Sequence, residues 1–216
     1  MMRETQGIVA TILFFSCLSL SDVQAFEIKA QEDNGQPAQD VVVALYPQKP
    51  VALPAAKKQE IVQKDFVFDP FVTVVASGSR INFPNLDKTK HHVYSFSKAA
   101  QFNLPLYNGM SGDVPFNKEG IVTIGCNIHD WMLAYVVVLD TPFFVKTDVD
   151  GKGNIPTLPA GHYRMKYWYP GLKGDALAKL EDDFAVTESG YYTVTIHEPI
   201  QTRPVKPPPS DDIGTY

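Results

Sequence analysis

Nine short runs of β-forming residues, each closed off by turn residues, set the strongest limit on what this chain can fold into. They are Val41–Leu45, Phe66–Phe68, Phe71–Val75, Arg80–Phe83, His92–Phe96, Ile121–Ile124, Ala134–Leu139, Tyr163–Trp168 and Tyr191–His197. Turn residues stand between them, as in Ser77-Gly78-Ser79, Asn108-Gly109 and Asp150-Gly151. Regular short strands with turns at this spacing argue for antiparallel sandwiches. In YYTVTIH the two-residue period puts Tyr192, Val194 and Ile196 on one face and Tyr191, Thr193 and Thr195 on the other. One stretch reads as helix-like, Asp175 to Asp182, with Leu177 and Leu180 three apart. The expected class is all-β, and the sequence carries neither a repeat array nor a phosphate-binding glycine loop.

Where such a chain resides follows from its first 25 residues, MMRETQGIVATILFFSCLSLSDVQA. Arg3 lies in a short polar start, an apolar run extends from Ile8 to about Leu20, and Val23-Gln24-Ala25 is a small-residue cleavage pattern. That is the design of a Sec-type signal peptide, with an apolar run too short for a comfortable membrane span. Phe14 and Phe15 fit poorly before a lipidated Cys17. Cleavage after Ala25 leaves residues 26–216 with 18 basic and 22 acidic side chains. A mildly acidic chain without a basic block gives no reason to expect nucleic-acid binding. The expected location is the periplasm, with no stable membrane insertion after cleavage.

Composition also marks the linkers. YPQKPVALPAAKKQE, Tyr46 to Glu60, carries three prolines and suits a surface crossing. Thr141-Pro142 follows a strong strand and marks a domain boundary. From Glu198 onward Pro199, Pro204 and Pro207-Pro208-Pro209 predict an extended or disordered tail.

After cleavage, Cys126 is the remaining cysteine and has no partner for an intramolecular disulfide. Burial as a small apolar residue is one explanation for it. Its neighbourhood supplies another. In GCNIHDWM, Gly125 to Met132, a histidine follows the cysteine by three residues and a methionine follows that by three more. With five histidines and five methionines in 216 residues, chance places that pattern behind a given cysteine about once in two thousand. A thiolate, an imidazole and a weak thioether together select copper, whereas zinc asks for a closed set of thiolates and imidazoles. A second histidine is available in NLDKTKHHVYSFS, where His91 and His92 open a strand.

These residues resemble those of the cupredoxins, the small blue-copper β-sandwich proteins. Gly78, Phe83 and Asn85 precede HHVYSF, and Cys126-Asn-Ile-His129-Asp-Trp-Met132 has the short loop spacing seen in amicyanin. HHVYSFS, GCNIHDWM and the TPFF segment look most like the cupredoxin-like proteins associated with methylamine utilization. The resemblance covers roughly Ile61 to Leu139. It implies a Greek-key cupredoxin β-sandwich over residues 61–140 holding one type 1 copper ion. Cys126 would give the strong in-plane bond, His91 and His129 would complete a trigonal plane, and Met132 would be long and axial.

The upstream ligand has two readings. His91-His92-Val93 matches the family's His-Asn-Val with His91 as ligand, while His92 stands where an asparagine normally ties the two ligand loops together. Strand alternation sends the two histidines to opposite faces, and His92 shares its face with the apolar Tyr94 and Phe96. By pattern alone, then, His92 is the inward alternative. Asp130 and Asn127 are candidates for orienting the imidazoles, and Trp131 for packing over the site or presenting a docking surface.

Other groupings carry less. Asp148-Val-Asp150-Gly-Lys-Gly153 begins like a calcium loop, but Lys152 takes a ligand position and Pro159 stands where the bidentate glutamate belongs, which leaves a turn. His162 and His197 lack metal-like spacing, Met110 is a distant rival to Met132, and Tyr167-Trp168-Tyr169 reads as sheet packing. No Ser-His-Asp set or carboxylate pair supports hydrolysis, so no enzyme is expected. TDVDGKGNIPTLPAGHYRMKYWYP resembles carboxypeptidase-regulatory-like and transthyretin-like β domains, and Ala30 to Lys49 resembles the opening strands of the same fold. The expected layout is a signal peptide over residues 1–25, N-terminal strands and a proline-rich crossing over 26–60, and the cupredoxin domain over 61–140. A second small β-sandwich over 141–198 and a tail over 199–216 follow, the N-terminal strands having the option of packing on that second module. The expected function is one-electron transfer with a transiently docking periplasmic cytochrome or dehydrogenase. A copper-delivery protein and a metal-free structural module are the rival readings.

Overall fold

The computed structural model describes residues 24–187 and 189–206, so the expected signal peptide falls outside the described residues except for Gln24 and Ala25. Seventeen strands run through it in chain order. The first seven are β1 (Gln24–Glu32), β2 (Val42–Pro47), β3 (Lys58–Glu60), β4 (Val62–Lys64), β5 (Val67–Asp69), β6 (Val72–Ala76) and β7 (Ser79–Asn82). Next come β8 (His91–Ser97), β9 (Ala100–Tyr107), β10 (Val114–Phe116), β11 (Gly120–Cys126) and β12 (Leu133–Leu139). The last five are β13 (Phe143–Lys146), β14 (Lys152–Leu158), β15 (Gly161–Trp168), β16 (Ala178–Val186) and β17 (Gly190–Ile196). No helix occurs among the described residues, and the fold is all-β.

The sheets stack in four layers. The first is β14-β1-β17 and the second is β13-β2-β15-β16. The third is β6-β12-β11-β8-β9, and the fourth is β10-β7-β3 with the small β4-β5 hairpin beside it. Three apolar cores separate them. Ile28, Val43, Leu45, Met165 and Val194 fill the space between the first two layers. Val42, Ala44, Val137, Leu139 and Trp168 join the second layer to the third. Phe68, Phe83, Val93, Phe116, Ile124 and Val136 lie between the third and fourth. This stacking explains why VVALY in β2 and VVVL in β12 are apolar at every position: both faces of each strand are covered. Along β17, by contrast, Val194 and Ile196 are buried while Tyr191 and Thr193 are exposed, as the alternation predicts.

The first strand belongs with the last. β1 pairs parallel to β17 and antiparallel to β14. β2 lies between β13 and β15. Gly151 makes the turn into β14 with φ of 70°. A Cβ there would fall 2.3 Å from the Ala30 carbonyl oxygen, so only glycine fits. Beside it the Asp148 carboxylate accepts from the backbone N–H groups of Asp150 and Lys152, which closes a turn.

One expectation fails. From Ala178 onward the helix-like stretch is instead β16, an edge strand paired to β15. Leu180 and Phe184 turn toward the core and Lys179 and Glu181 face water; the two-residue period wins once a partner strand is present. The described start of the tail, residues 199–206, has no regular structure and is tied down by hydrogen bonds. Gln201 donates its N–H to the Pro170 carbonyl at 2.7 Å and accepts from the Tyr135 hydroxyl at 3.0 Å.

Candidate metal centre

The two sandwich layers around the third core fix the upstream histidine. Along β8, His91, Val93 and Ser95 are buried, while His92, Tyr94 and Phe96 point the other way. His91 has no exposed surface, whereas Phe96 is 81% exposed. The face that looked apolar enough for the core is therefore the outer one, and His92 is excluded from the interior. Its Nε2 hydrogen-bonds the Asn103 side chain on the neighbouring strand. The outward aromatics recover some contact by lining up along the strand, with ring centroids 5.7 Å apart for His92–Tyr94 and 5.1 Å for Tyr94–Phe96. Gly125 provides the room, because Tyr94 ring atoms lie only 3.1 Å from where a Cβ of residue 125 would stand.

Cys126 ends β11 opposite Val93 of β8, with its side chain in the same core. The loop that follows is short and closed by main-chain bonds. Cys126 N–H donates to the Met132 carbonyl at 3.3 Å and Met132 N–H to the His129 carbonyl at 2.9 Å. Asn127 N–H donates to the His92 carbonyl at 3.3 Å. Backbone thus ties the two loops together at His92, the residue that stands in the asparagine position of the resembled pattern. Met132 is buried beside Cys126 in the same core, while Met110 is 64% exposed in another loop.

The loop brings His129 back onto β8. Its Nδ1 lies 3.1 Å from Nδ1 of His91 and 3.7 Å from Sγ of Cys126, and Sγ is 3.9 Å from Nδ1 of His91. The circle through three atoms at those separations has a radius of about 2.1 Å. Bonds from a first-row metal to imidazole nitrogen and thiolate sulfur are about 2.0–2.3 Å, so one ion in the plane would meet all three donors. His91, Cys126 and His129 are a group able to hold a metal among the described residues.

A residue that sequence reasoning missed sets the chemistry of this triangle. Asp87, four positions before His91, places Oδ2 2.9 Å from His91 Nε2. A carboxylate there fixes the proton on Nε2 and leaves the Nδ1 lone pair facing Cys126 and His129. The same carboxylate accepts the backbone N–H groups of Asp65 at 2.8 Å and Phe66 at 3.1 Å. Burial works against its charge, but the bonds from His91, Phe66 and Asp65 outweigh that and hold the carboxyl below its ordinary range. Asn85, buried, shapes the loop by accepting from Asp87 N–H and donating to the Thr89 and Tyr107 carbonyls. The carboxylate that orients the imidazole is therefore Asp87 rather than Asp130. A carboxylate near a histidine in NLDKTKH was the only available signal, and it is a common loop composition.

Phe66 covers the cluster. Asp65 and Phe66 both adopt positive φ, 54° and 61°, an unfavourable backbone that the Asp87 bonds hold in place. The Phe66 ring stands edge-on to His129 and His91 with centroids 5.0 and 5.8 Å away. Trp131 flanks His129 from another side at 5.2 Å and donates Nε1–H to the Phe66 carbonyl at 3.1 Å. Partial burial first, and the neighbouring His91 second, push the His129 pKa down, which favours the neutral imidazole that a metal requires.

No family model and no curated protein matches the chain. Among solved structures it is similar to a purple cupredoxin from Nitrosopumilus maritimus at 20% identity, over 37% of this chain and 98% of that one, with a TM-score of 0.33. A copper-containing nitrite reductase from Thermus scotoductus matches at 20% identity over 42% of this chain and 25% of that one, with a TM-score of 0.35. A reduced Cu(I) form of an amicyanin mutant matches at 16% identity over 45% of this chain and 98% of that one, also with a TM-score of 0.35.

Proposed function

We propose that this chain is an exported type 1 copper protein that carries single electrons to or from a periplasmic redox partner, either a cytochrome or a dehydrogenase. The observation that carries the reading is the triangle of one sulfur and two Nδ1 atoms, sized for one ion and drawn from residues 35 apart in the chain. One thiolate, two imidazoles and a nearby thioether fit copper better than zinc. Copper bound there would supply a one-electron couple between its two common oxidation states.

Each residue has a part. Cys126 is the anionic donor, and its burial keeps water and oxidants from the thiolate. His91 is held rigid by Asp87 and by the core, which keeps its Nδ1 fixed whatever the charge at the centre. His129 is the partly exposed member of the set and the natural edge for electron exchange with a docked partner. Met132, buried in the same core as Cys126, would offer a further thioether donor. Burial of Cys126 and His91 disfavours the ready metal exchange that a delivery protein needs.

Reconstitution of the metal-free protein with Cu(II) tests this. An intense visible thiolate-to-copper band with reversible one-electron cycling is expected. Colourless, readily exchanged copper would replace the carrier by a delivery role, and no uptake would leave a structural module.

A further inference from the structure

The chain leaves the first layer after β17, crosses onto the third and ends, among the described residues, at the rim of the candidate metal centre. Ile200 packs against the first core. Gln201 is bonded to Pro170 and Tyr135, and Gly171 approaches it so closely that a Cβ there would stand 3.2 Å from its backbone nitrogen. Arg203 pairs with Asp69 at 3.1 Å, and its guanidinium lies over the Phe71 ring at 5.7 Å. The Lys206 ammonium then sits 3.8 Å from the centre of the Phe66 ring, the same ring whose edge lies against His129 and His91.

We propose that residues 199–206 form a strap that closes the His129 edge of the cluster, with Lys206 latching Phe66 over the imidazoles, so that reagents, metal and partner reach His129 when the strap end lifts. The strap acts on the same site as the proposed copper centre, but its placement stands whether the resident ion is copper or another metal. Its anchors grade from firm to weak. Gln201 is fixed by hydrogen bonds, Arg203 by an exposed ion pair that salt screens, and Lys206 by one exposed cation–π contact. Among the described residues, opening therefore starts at Lys206. A partner that competes for the ammonium or for the Phe66 face would open the site as it docks.

Carbethoxylation of histidine by diethylpyrocarbonate, followed by mass spectrometry, tests this in the metal-free full chain. The exposed His162 and His197 serve as internal references. The reaction is run at about pH 8, well above the ordinary imidazole value, so the loss of Lys206 does not act through protonation. In a chain ending at Arg203, the rate at His129 relative to His162 should rise about two- to fivefold, the opening factor of one exposed cation–π contact. Lys206→Gln in the full chain should give a similar rise, and added salt should raise the rate in the unaltered chain. Equal relative rates in all three chains would overturn the strap. So would a rise in Phe66→Ala that neither strap variant shares. Failure to develop a copper band in the same samples would instead count against the copper reading.

Discussion

His91 Nε2 stands 2.9 Å from a carboxylate oxygen of Asp87, and that one carboxylate also receives the backbone N–H groups of Asp65 and Phe66. A single side chain thereby orients the buried imidazole and anchors the aromatic ring that covers it. The two jobs are inseparable, because the ring sits on a positive-φ backbone that the carboxylate holds.

Asp87→Asn should therefore cost more than a surface change. The neutral amide accepts less strongly and leaves the bonds from His91, Asp65 and Phe66 weakened. The metal-free protein should lose about 1.5–3 kcal/mol in denaturant unfolding, the range for hydrogen bonds to a charged group. Copper affinity should fall about 10- to 100-fold in a competition titration. Unchanged affinity would remove Asp87 from the site.

The two histidines of HHVYSFS should separate cleanly. His91→Ala deletes a corner of the triangle and should abolish the visible band. His92→Ala touches an outward side chain bonded to Asn103 and should leave the band in place. A spectrum lost with His92 and kept without His91 would reverse the assignment.

Acid should weaken the metal-free fold in two stages. His129 has a lowered pKa, so its contribution is complete above the ordinary imidazole value near 6.5 and declines as pH falls below it, where the unfolded chain takes the proton first. Asp87 is also lowered, so its contribution is present above the ordinary carboxylate value and disappears as pH falls through the depressed one. Unfolding free energy measured against pH should show the first decline, and His129→Gln should remove it.

The junction between the sandwiches offers a stability test. Trp168, buried on β15, packs against Tyr135 of β12 with ring centroids 5.1 Å apart. Trp168→Ala should cost about 3–5 kcal/mol in denaturant unfolding. A much smaller cost would mean that this core contributes little to the fold.

Much of this architecture was legible in the sequence, because turn residues and two-residue periods are local signals. Each of the nine runs overlaps a strand. Most of the strands that escaped, β9 among them, are exposed or edge segments whose polar alternation looks like loop; β1 is central and escaped because polar residues alternate with its buried Phe26, Ile28 and Ala30. β16 misled because two leucines three apart fit a helix until a partner strand is known. Cys126 and His129 were readable from spacing within one loop, and both upstream histidines were found. Which of the two points inward was not decided by their own strand. It depends on Gly125 across the sheet, whose missing side chain leaves an outer berth for Tyr94. Asp87, Phe66 and Lys206 were out of reach for the same reason: each acts through partners distant in the chain, and none has a distinctive local pattern.

X-ray absorption at the copper edge of the reconstituted protein examines the central claim most directly. Convergence of Cys126, His91 and His129 predicts one short sulfur and two nitrogen neighbours, with the sulfur lost in Cys126→Ser. A copper ion surrounded by oxygen and nitrogen alone in the unaltered protein would contradict it.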